Sequence, residues 1–570
     1  MSAAVKKALA AAAREANAAQ AGAGPARGAR RGGPHEAAGG AAGGAQGDNV
    51  LDQQVLRACS ALDHNDTGNG QRLIAHFGDE FLHIREHGFY SWCGSHWDLT
   101  GGEEVVTRLA QETAERIRLE APFLEYSPHE QRAIEAGEAL VVSDGKPTPA
   151  QRQILEAAEA AREALNKRRA RQRAFSVSSG NAARVKSMLL MALPHKTHGP
   201  DDMDADDFVL NTQSATLHLH PEGDGEGGQV VNVNAKDHAR ADLISKCAQV
   251  AYDKGAACPR WQAFLDYFQP DEEIQGFLQR FMGYCLTGST AEQKLLFFYG
   301  DGANGKSTFI EAICALLGGY AGQLNPESVT GSGQRRGDQA TPDLATLVGK
   351  RLVRVSELPR GEPVKEELIK ALTGGEPMQV RRLHQGFFDM TPIFKAVMSG
   401  NDKPYITGTD HGIWRRLLIV PWSVKIPEAE RRPLEQVLAE FAAERAGILN
   451  WMIEGLAAYV EGGLQVPEAV AGMTDSYRSE MDPIQQFVDQ CLIAVPPDDA
   501  GQPVAEVTAQ TMYNAYKRWC EVSAVKVFTN TLFGRELPKK GIEKINGRIR
   551  KYINVRINLP DEVVHVDPPI

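Results

Sequence analysis

A short apolar run, Leu295-Leu296-Phe297-Phe298-Tyr299, leads directly into Gly300-Asp301-Gly302-Ala303-Asn304-Gly305-Lys306-Ser307. Thr308 to Leu317 follows with helical spacing and stops at Gly318-Gly319. The middle segment satisfies G-x-x-x-x-G-K-[ST]. An apolar run suited to a buried strand, a glycine loop and a helix, in that order, make the phosphate-binding unit of an α/β fold. The glycines let backbone N–H groups wrap phosphate oxygens, and the helix N-terminus adds partial positive charge. Lys306 is placed to reach the β and γ phosphates and Ser307 to ligate Mg²⁺. Gly300, Asp301, Gly302, Ala303, Asn304, Gly305, Lys306, Ser307 and Thr308 are therefore the candidate nucleotide-binding set.

Such a loop needs an acid on a second strand. Lys350 to Glu357 reads as that strand, with Glu357 at its end, able to hold a metal-bound water or polarise the attacking one. Its neighbour is Ser356, where a second acid is common. A third strand, Ile393 to Ser399, precedes Gly400-Asn401-Asp402. The Asn401 amide there can bridge a γ-phosphate and the attacking water, although Asn and Gly also favour plain turns. Arg415 and Arg416, just before the apolar run Leu417 to Val420, suit either an arginine finger on a neighbouring subunit's γ-phosphate or a surface salt bridge. Between the second and third strands, Thr373-Gly374-Gly375 opens a hairpin or extended loop with Arg381, Arg382 and His384 at its far side.

Composition bounds what else the chain can be. At 570 residues it exceeds one hydrophobic core. There are 62 basic and 73 acidic residues, a formal charge of −11 that excludes a uniformly basic nucleic-acid coat but not a local patch. No 18-residue apolar stretch and no secretory pattern occur, so no membrane partner is expected. The eight cysteines contain no C-x-x-C pair and fit a reducing cytoplasm. Residues 1–50, rich in Ala and Gly, read as a disordered tail.

Several features have bland readings. The run Lys167 to Arg173 is by default a solvated helix end, with phosphate contact as the alternative. Asp204-x-Asp206 lacks a supporting strand for metal binding. His218 and His220 share a strand face without a third ligand. Helices are expected from Ala239 to about Leu286 and over 427–462. From Val525 to Arg556, nine basic residues stand against Glu536 and Glu543. Thr529 to Leu537 reads as a recognition-type helix and Arg548 to Asn558 as a β wing. Lys539, Lys540, Arg548, Arg550 and Lys551 would then meet duplex DNA; subunit contact is the other use of such a surface.

Together these residues resemble the superfamily-three helicases, in the phage and plasmid primase–helicase branch akin to the poxvirus NTPase. The resemblance is close from about Arg240 to Trp422. It is most specific in Leu368 to Gly375 and Gly408 to Arg416, and Phe281 to Gly288 looks like the segment that leads into the family's P-loop. It implies an AAA-like P-loop ATPase domain in a ring of six, with ATP between subunits and 3′-to-5′ movement on single-stranded DNA. Lys306 and Ser307 match the Walker A lysine and hydroxyl, and Glu357 the Walker B acid. Asn401 matches the sensor asparagine, and Arg381, Arg382 and His384 fall in the pore hairpin. Arg415 and Arg416 fall at the arginine finger, the choice between them open.

The implied organisation is a tail (1–50), a mostly helical accessory region (51–240), a helical collar (241–285), the ATPase core (286–425), a helical lid (426–480) and a winged-helix-like DNA-binding domain (481–570). Family members carry a primase domain ahead of the helicase, and 50 low-complexity residues cannot form one. The expectation is thus an ATP- and Mg²⁺-dependent helicase, working beside a separate primase in a bacterial host's cytoplasm. A P-loop regulatory switch and a non-translocating origin-binding protein are the rivals.

Overall fold

The computed structural model describes residues 52–140, 147–223, 228–331, 341–382, 386–406, 411–523, 525 and 527–559. The expected tail lies outside them. The chain divides into two compact units. The first takes the residues up to 206 with 211–216 and 235–247, and the second takes 207–210, 217–234 and 248 onward.

The first unit is helical around a small sheet. Its helices are α1 (Gln53–Ser60), α2 (Asp66–Phe77), α3 (Gly102–Arg116), α4 (Pro128–Glu138), α5 (Pro149–Ser179) and α6 (Ala182–Lys196). Strands β1 (Phe81–Ile84), β2 (Gly88–Trp92) and β3 (Trp97–Asp98) are antiparallel, and β4 (Thr197–His198) joins β1 in parallel. Ser127 with Glu130 and Thr148 with Gln151 form reciprocal caps that start α4 and α5, each with proline at the first helical turn. The basic run on α5 has structural work. Arg168 bridges Glu130 at 2.6 Å, Lys167 bridges Glu163 at 2.7 Å, and Arg169 donates to the Leu124 carbonyl. Asp204 accepts from the Ser245 amide at 2.8 Å, the bland use of that D-x-D pair.

In the second unit, short strands at Pro221–Gly223 and Gln229–Val231 come before α7 (Pro259–Phe268) and α8 (Glu272–Tyr284). These two helices are the later part of those expected from Ala239 to about Leu286; the earlier part is largely not helical. Apart from a three-residue turn at Arg240–Asp242, residues 243–258 carry no helix. Pro259 and Pro270 set the helix boundaries, and the Asn450 side chain takes the carbonyls of Asp253 and Ala256 at 2.9 Å.

The central sheet has five parallel strands: β5 (Leu295–Tyr299), β6 (Ala321–Gln323), β7 (Leu352–Ser356), β10 (Lys395–Gly400) and β11 (Leu417–Pro421). Their spatial order is β6-β7-β10-β5-β11. Helix α9 (Lys306–Leu317) follows β5, and α10 (Glu366–Gly374) leads to the antiparallel hairpin of β8 (Met378–Arg381) and β9 (Phe387–Met390). Leu295, Phe297, Val353, Val355, Met398 and Ile419 are buried in one core, as strands covered on both faces must be. Helices α11 (Leu434–Ala443), α12 (Arg445–Gly462) and α13 (Glu468–Glu480) follow. α12 packs closely on α8 because a Cβ on Gly283 would lie 2.1 Å from the Leu456 nitrogen, and one on Gly455 2.0 Å from the Gln279 oxygen.

The C-terminal elements are α14 (Pro483–Cys491), β12 (Leu492–Ala494), β13 (Glu506–Thr508), α15 (Ala509–Val522), α16 (Asn530–Glu536), β14 (Lys544–Ile545), β15 (Lys551–Ile553) and β16 (Val555–Ile557). They form a sheet of order β13-β15-β14 and a β12–β16 pair over a core of Phe487, Tyr516, Trp519, Phe533 and Tyr552. The hairpin expected over Arg548–Asn558 is shifted. It runs from Lys544 to Ile553, because Asn554 takes φ +58° and turns Val555–Ile557 away to pair with Leu492–Ala494.

Candidate functional site

The loop after β5 is shaped by close approach. Gly300 has φ +153° and a Cβ there would sit 2.1 Å from the Trp422 carbonyl; Gly305 has φ +84° and its Cβ would meet the Phe268 ring at 2.8 Å. Around Gly302 there is open space. The loop is tied to the chain leaving β11: Asn304 Nδ2 donates to the Trp422 oxygen at 2.8 Å and the Ile426 amide to the Ala303 oxygen at 2.9 Å. Lys306 opens α9 with its side chain buried. Its ammonium donates to the Gly300 oxygen, to the Asp301 oxygen at 3.2 Å and to Asn304 Oδ1 at 3.1 Å. Burial pulls its pKa down to about 8, opposed by the Asp301 carboxylate. Ser307 is exposed on the first turn.

Glu357 and Asn401 reach the same edge of the sheet. β10 lies between β5 and β7, pairing Tyr299 with Gly400 and Ser356 with Ser399. The residues following all three strands therefore emerge side by side, at the carboxyl edge where parallel sheets bind ligands. The Glu357 amide donates to the Ser399 oxygen at 3.1 Å. Glu357 is exposed with φ +58°, a left-handed conformation that costs a non-glycine residue about 1 kcal/mol or more and concentrates at functional sites. Asn401 is exposed as well. The exposed oxygens of Ser307 and Glu357 are the hard donors that Mg²⁺ takes.

Arg415 and Arg416 lie at the other edge. The Leu295 amide donates to the Arg416 oxygen at 2.8 Å, at the start of β5. A five-residue strand at about 3.3 Å per residue separates them from the glycine loop by roughly 16 Å. The two arginines differ. Arg416 is 8% exposed, and its guanidinium donates to Thr373 Oγ1 at 3.1 Å, the Gly412 oxygen at 2.7 Å and Gln293 Oε1 at 3.3 Å. Arg415 is exposed and donates to Gln293 Oε1 at 2.8 Å.

A cavity of about 780 Å³ opens beside the loop, lined by Ala303, Gly305, Thr308, Tyr267, Phe268 and Arg432 among others. Arg432 pairs with Glu440, which Arg260 also approaches at 3.4 Å. No sequence signal singled out this wall. Phe264, Tyr267 and Phe268 have ordinary helical spacing, and the Arg260–Glu440 approach spans 180 residues.

Arg381 ends β8 and Arg382 starts the turn, their guanidinium groups 5.2 Å and 4.9 Å from the ring centres of Phe387 and Phe388. His384 lies outside the described residues. In the C-terminal elements Lys539 pairs with Glu536 at 2.9 Å, Lys540 with Asp482 and Lys551 with Glu506 at 2.5 Å. Arg548 and Arg550 stand exposed on the hairpin tip between β14 and β15.

The chain matches family models described as D5 N terminal like over residues 70–270, a family of unknown function over 298–416, and poxvirus D5 protein-like over 479–566. A provisionally named helicase of Acanthamoeba polyphaga mimivirus is 25% identical over 303 residues, 50% of this chain and 31% of the relative. One from Frog virus 3 is 25% identical over 279 residues, 46% of this chain and 28% of its own. A provisionally named primase of African swine fever virus is 22% identical over 366 residues, 59% of this chain and 37% of its own. The chain thus spans about a third of these relatives' length. All three are viral, and none of them points to a bacterial host. The solved NrS-1 C-terminal region aligns over 61% of this chain and 96% of its own at 11% identity, with a TM-score of 0.33, too slight to bear on the fold. Among the described residues, no helix is long and apolar enough to cross a membrane.

Proposed function

From its similarity to the D5-like family models over residues 70–270 and 479–566, we propose that the chain is an ATP-dependent DNA helicase of superfamily three. It works as a six-membered ring that moves 3′ to 5′ on single-stranded DNA during replication. The observation that carries this is the opposition of the two sheet edges. The glycine loop, Asn401 and Glu357 stand together at one edge. Arg415 stands exposed at the other, too far from its own glycine loop, which supports a role on a neighbouring subunit's nucleotide.

In this reading the loop amides and Lys306 bind the phosphates, and the cavity beside Tyr267 and Phe268 takes the base and ribose. Ser307 and Glu357 would hold Mg²⁺, which would supply charge neutralisation at the phosphates. Glu357 and Asn401 orient the water for in-line attack, and Arg415 of the adjacent subunit stabilises the transition state. Arg416, buried with its donors engaged, positions the segment that carries Arg415. The hairpin bearing Arg381, Arg382 and His384 grips the single strand in the pore. The C-terminal order of helix, two strands, two helices and hairpin supports reading these elements as a winged helix that binds duplex DNA.

The test is ATP turnover with and without single-stranded DNA, with sizing in the presence of nucleotide. DNA-stimulated turnover by a ring, lost in Lys306→Ala while DNA binding persists, is the expected result. Turnover by a monomer or dimer indifferent to DNA would overturn the helicase reading in favour of an ATP switch.

A further inference from the structure

Several of the basic residues in the C-terminal elements are paired with acids in the fold. Lys539, Lys540 and Lys551 are spent on Glu536, Asp482 and Glu506, and Lys544 donates to the Gly534 oxygen at 3.0 Å. Arg535 shares Glu536 with Lys539, and Arg556 on β16 is exposed as well; the five-residue tip Asn546-Gly547-Arg548-Ile549-Arg550 differs in being exposed throughout with two arginines and no acid among them. Eight residues from Lys544 to Lys551 contain no acid. Between the two arginines Ile549 is 63% exposed, and Ile545, at the end of β14, is 45% exposed. Folding leaves these side chains in water although the adjoining core buries Tyr552 and Phe533 almost completely.

An exposed isoleucine flanked by two cations on a narrow hairpin has the chemistry of a minor-groove wedge. Arginines favour the negative potential of that groove, and an apolar side chain between base steps unstacks and bends the duplex. A single strand offers no stacked duplex step to part, and a protein partner would ask for acidic rather than groove geometry. We propose that the Arg548-Ile549-Arg550 tip inserts into the minor groove of duplex DNA, with Ile549 as the wedge and the arginines as its electrostatic anchors. This rests on the reading of the C-terminal elements as a duplex-binding winged helix.

The experiment uses the full chain with a duplex carrying a fluorescent base analogue at a TA step and a donor–acceptor pair at its ends, beside a single strand of equal length. The parent chain should bend the duplex and unstack the reporter. Ile549→Ala should abolish both signals and weaken duplex binding about tenfold, the order expected from losing a buried isoleucine. Single-strand binding and ATP turnover should be unchanged. Arg548→Ala with Arg550→Ala should lower the slope of log affinity against log salt by about 2. Bending and unstacking retained in Ile549→Ala and in Ile549→Asp would overturn the wedge. If the arginine pair still altered the salt slope, duplex binding at this tip would stand without it. A parent chain that does not bind the duplex would remove the winged-helix reading and the wedge together.

Discussion

Arg415 and Arg416 are adjacent in sequence, and the fold assigns them opposite consequences. Arg416→Ala removes a guanidinium whose three described bonds reach Thr373, Gly412 and Gln293 inside the second unit. Each charged-donor bond contributes about 1.5–3 kcal/mol where it is buried, less than additively, so the substitution should destabilise the unit by about 3–5 kcal/mol. Arg415→Ala removes an exposed side chain with a bond to Gln293, and should cost below about 1 kcal/mol. Its effect should fall on catalysis, with kcat down on the order of a thousandfold.

Urea titration followed by tryptophan fluorescence reads the first difference, and ATP turnover the second. Mixing is the sharper assay. Arg415→Ala keeps an intact glycine loop, and Lys306→Ala keeps an intact Arg415, so either alone is inactive. Random co-assembly in equal amounts pairs a working loop with a working finger at about a quarter of the interfaces, restoring turnover to that order. A mixture as inactive as its parts, with ring assembly intact, would refute the assignment of Arg415 across the interface. A stability loss in Arg415→Ala matching that of Arg416→Ala would refute the distinction itself.

Glu357→Gln should lower ATP turnover on the order of a hundredfold or more while leaving nucleotide binding intact, read by equilibrium binding of a labelled analogue; parent-like turnover would remove Glu357 from the reaction. Gly305→Ala forces a Cβ into the Phe268 ring at a positive φ and should cost about 1–3 kcal/mol, with weaker nucleotide binding in a thermal-shift titration. Lys395 is buried, its ammonium donating to the Thr287 oxygen at 2.5 Å, and burial draws its pKa down to about 7 from 10.5. Above pH 7 the unfolded chain holds a proton that the folded chain releases, so this lysine makes stability rise with pH and its full penalty applies below pH 7. Lys395→Met should lower the pH slope of the denaturation midpoint between about pH 7 and 7.5, before most unfolded cysteines, with a pKa near about 8.5, lose their protons; an unchanged slope would refute the burial argument.

Local chemistry made much of the glycine-loop unit readable. The glycine loop needs positive φ at Gly300 and Gly305, and only the strand–loop–helix order delivers it, so β5 and α9 stand where the pattern predicts. The strand preceding Glu357 and the one preceding Asn401 were legible as apolar runs with polar ends. The helix expected across 243–258 failed because apolar spacing is silent about a distant Asn450 that satisfies the backbone another way. The C-terminal hairpin slipped because one asparagine in a left-handed conformation redirects the strand after it. The wall of the cavity was illegible, since Arg260 and Glu440 meet only through the fold.

By itself, then, the sequence determined which side chains were available and which short segments would be strand, loop or helix, since those depend on neighbours a few residues away. Tertiary structure alone decided strand order. It inserted β10 between β5 and β7, and so set Asn401 between the glycine loop and Glu357. It also buried Arg416 while leaving Arg415 in water, and neutralised most of the C-terminal lysines while sparing the tip. Those outcomes depend on contacts between residues far apart in the chain. Burial and ion pairing are properties of the packed surface, and no local spacing encodes them.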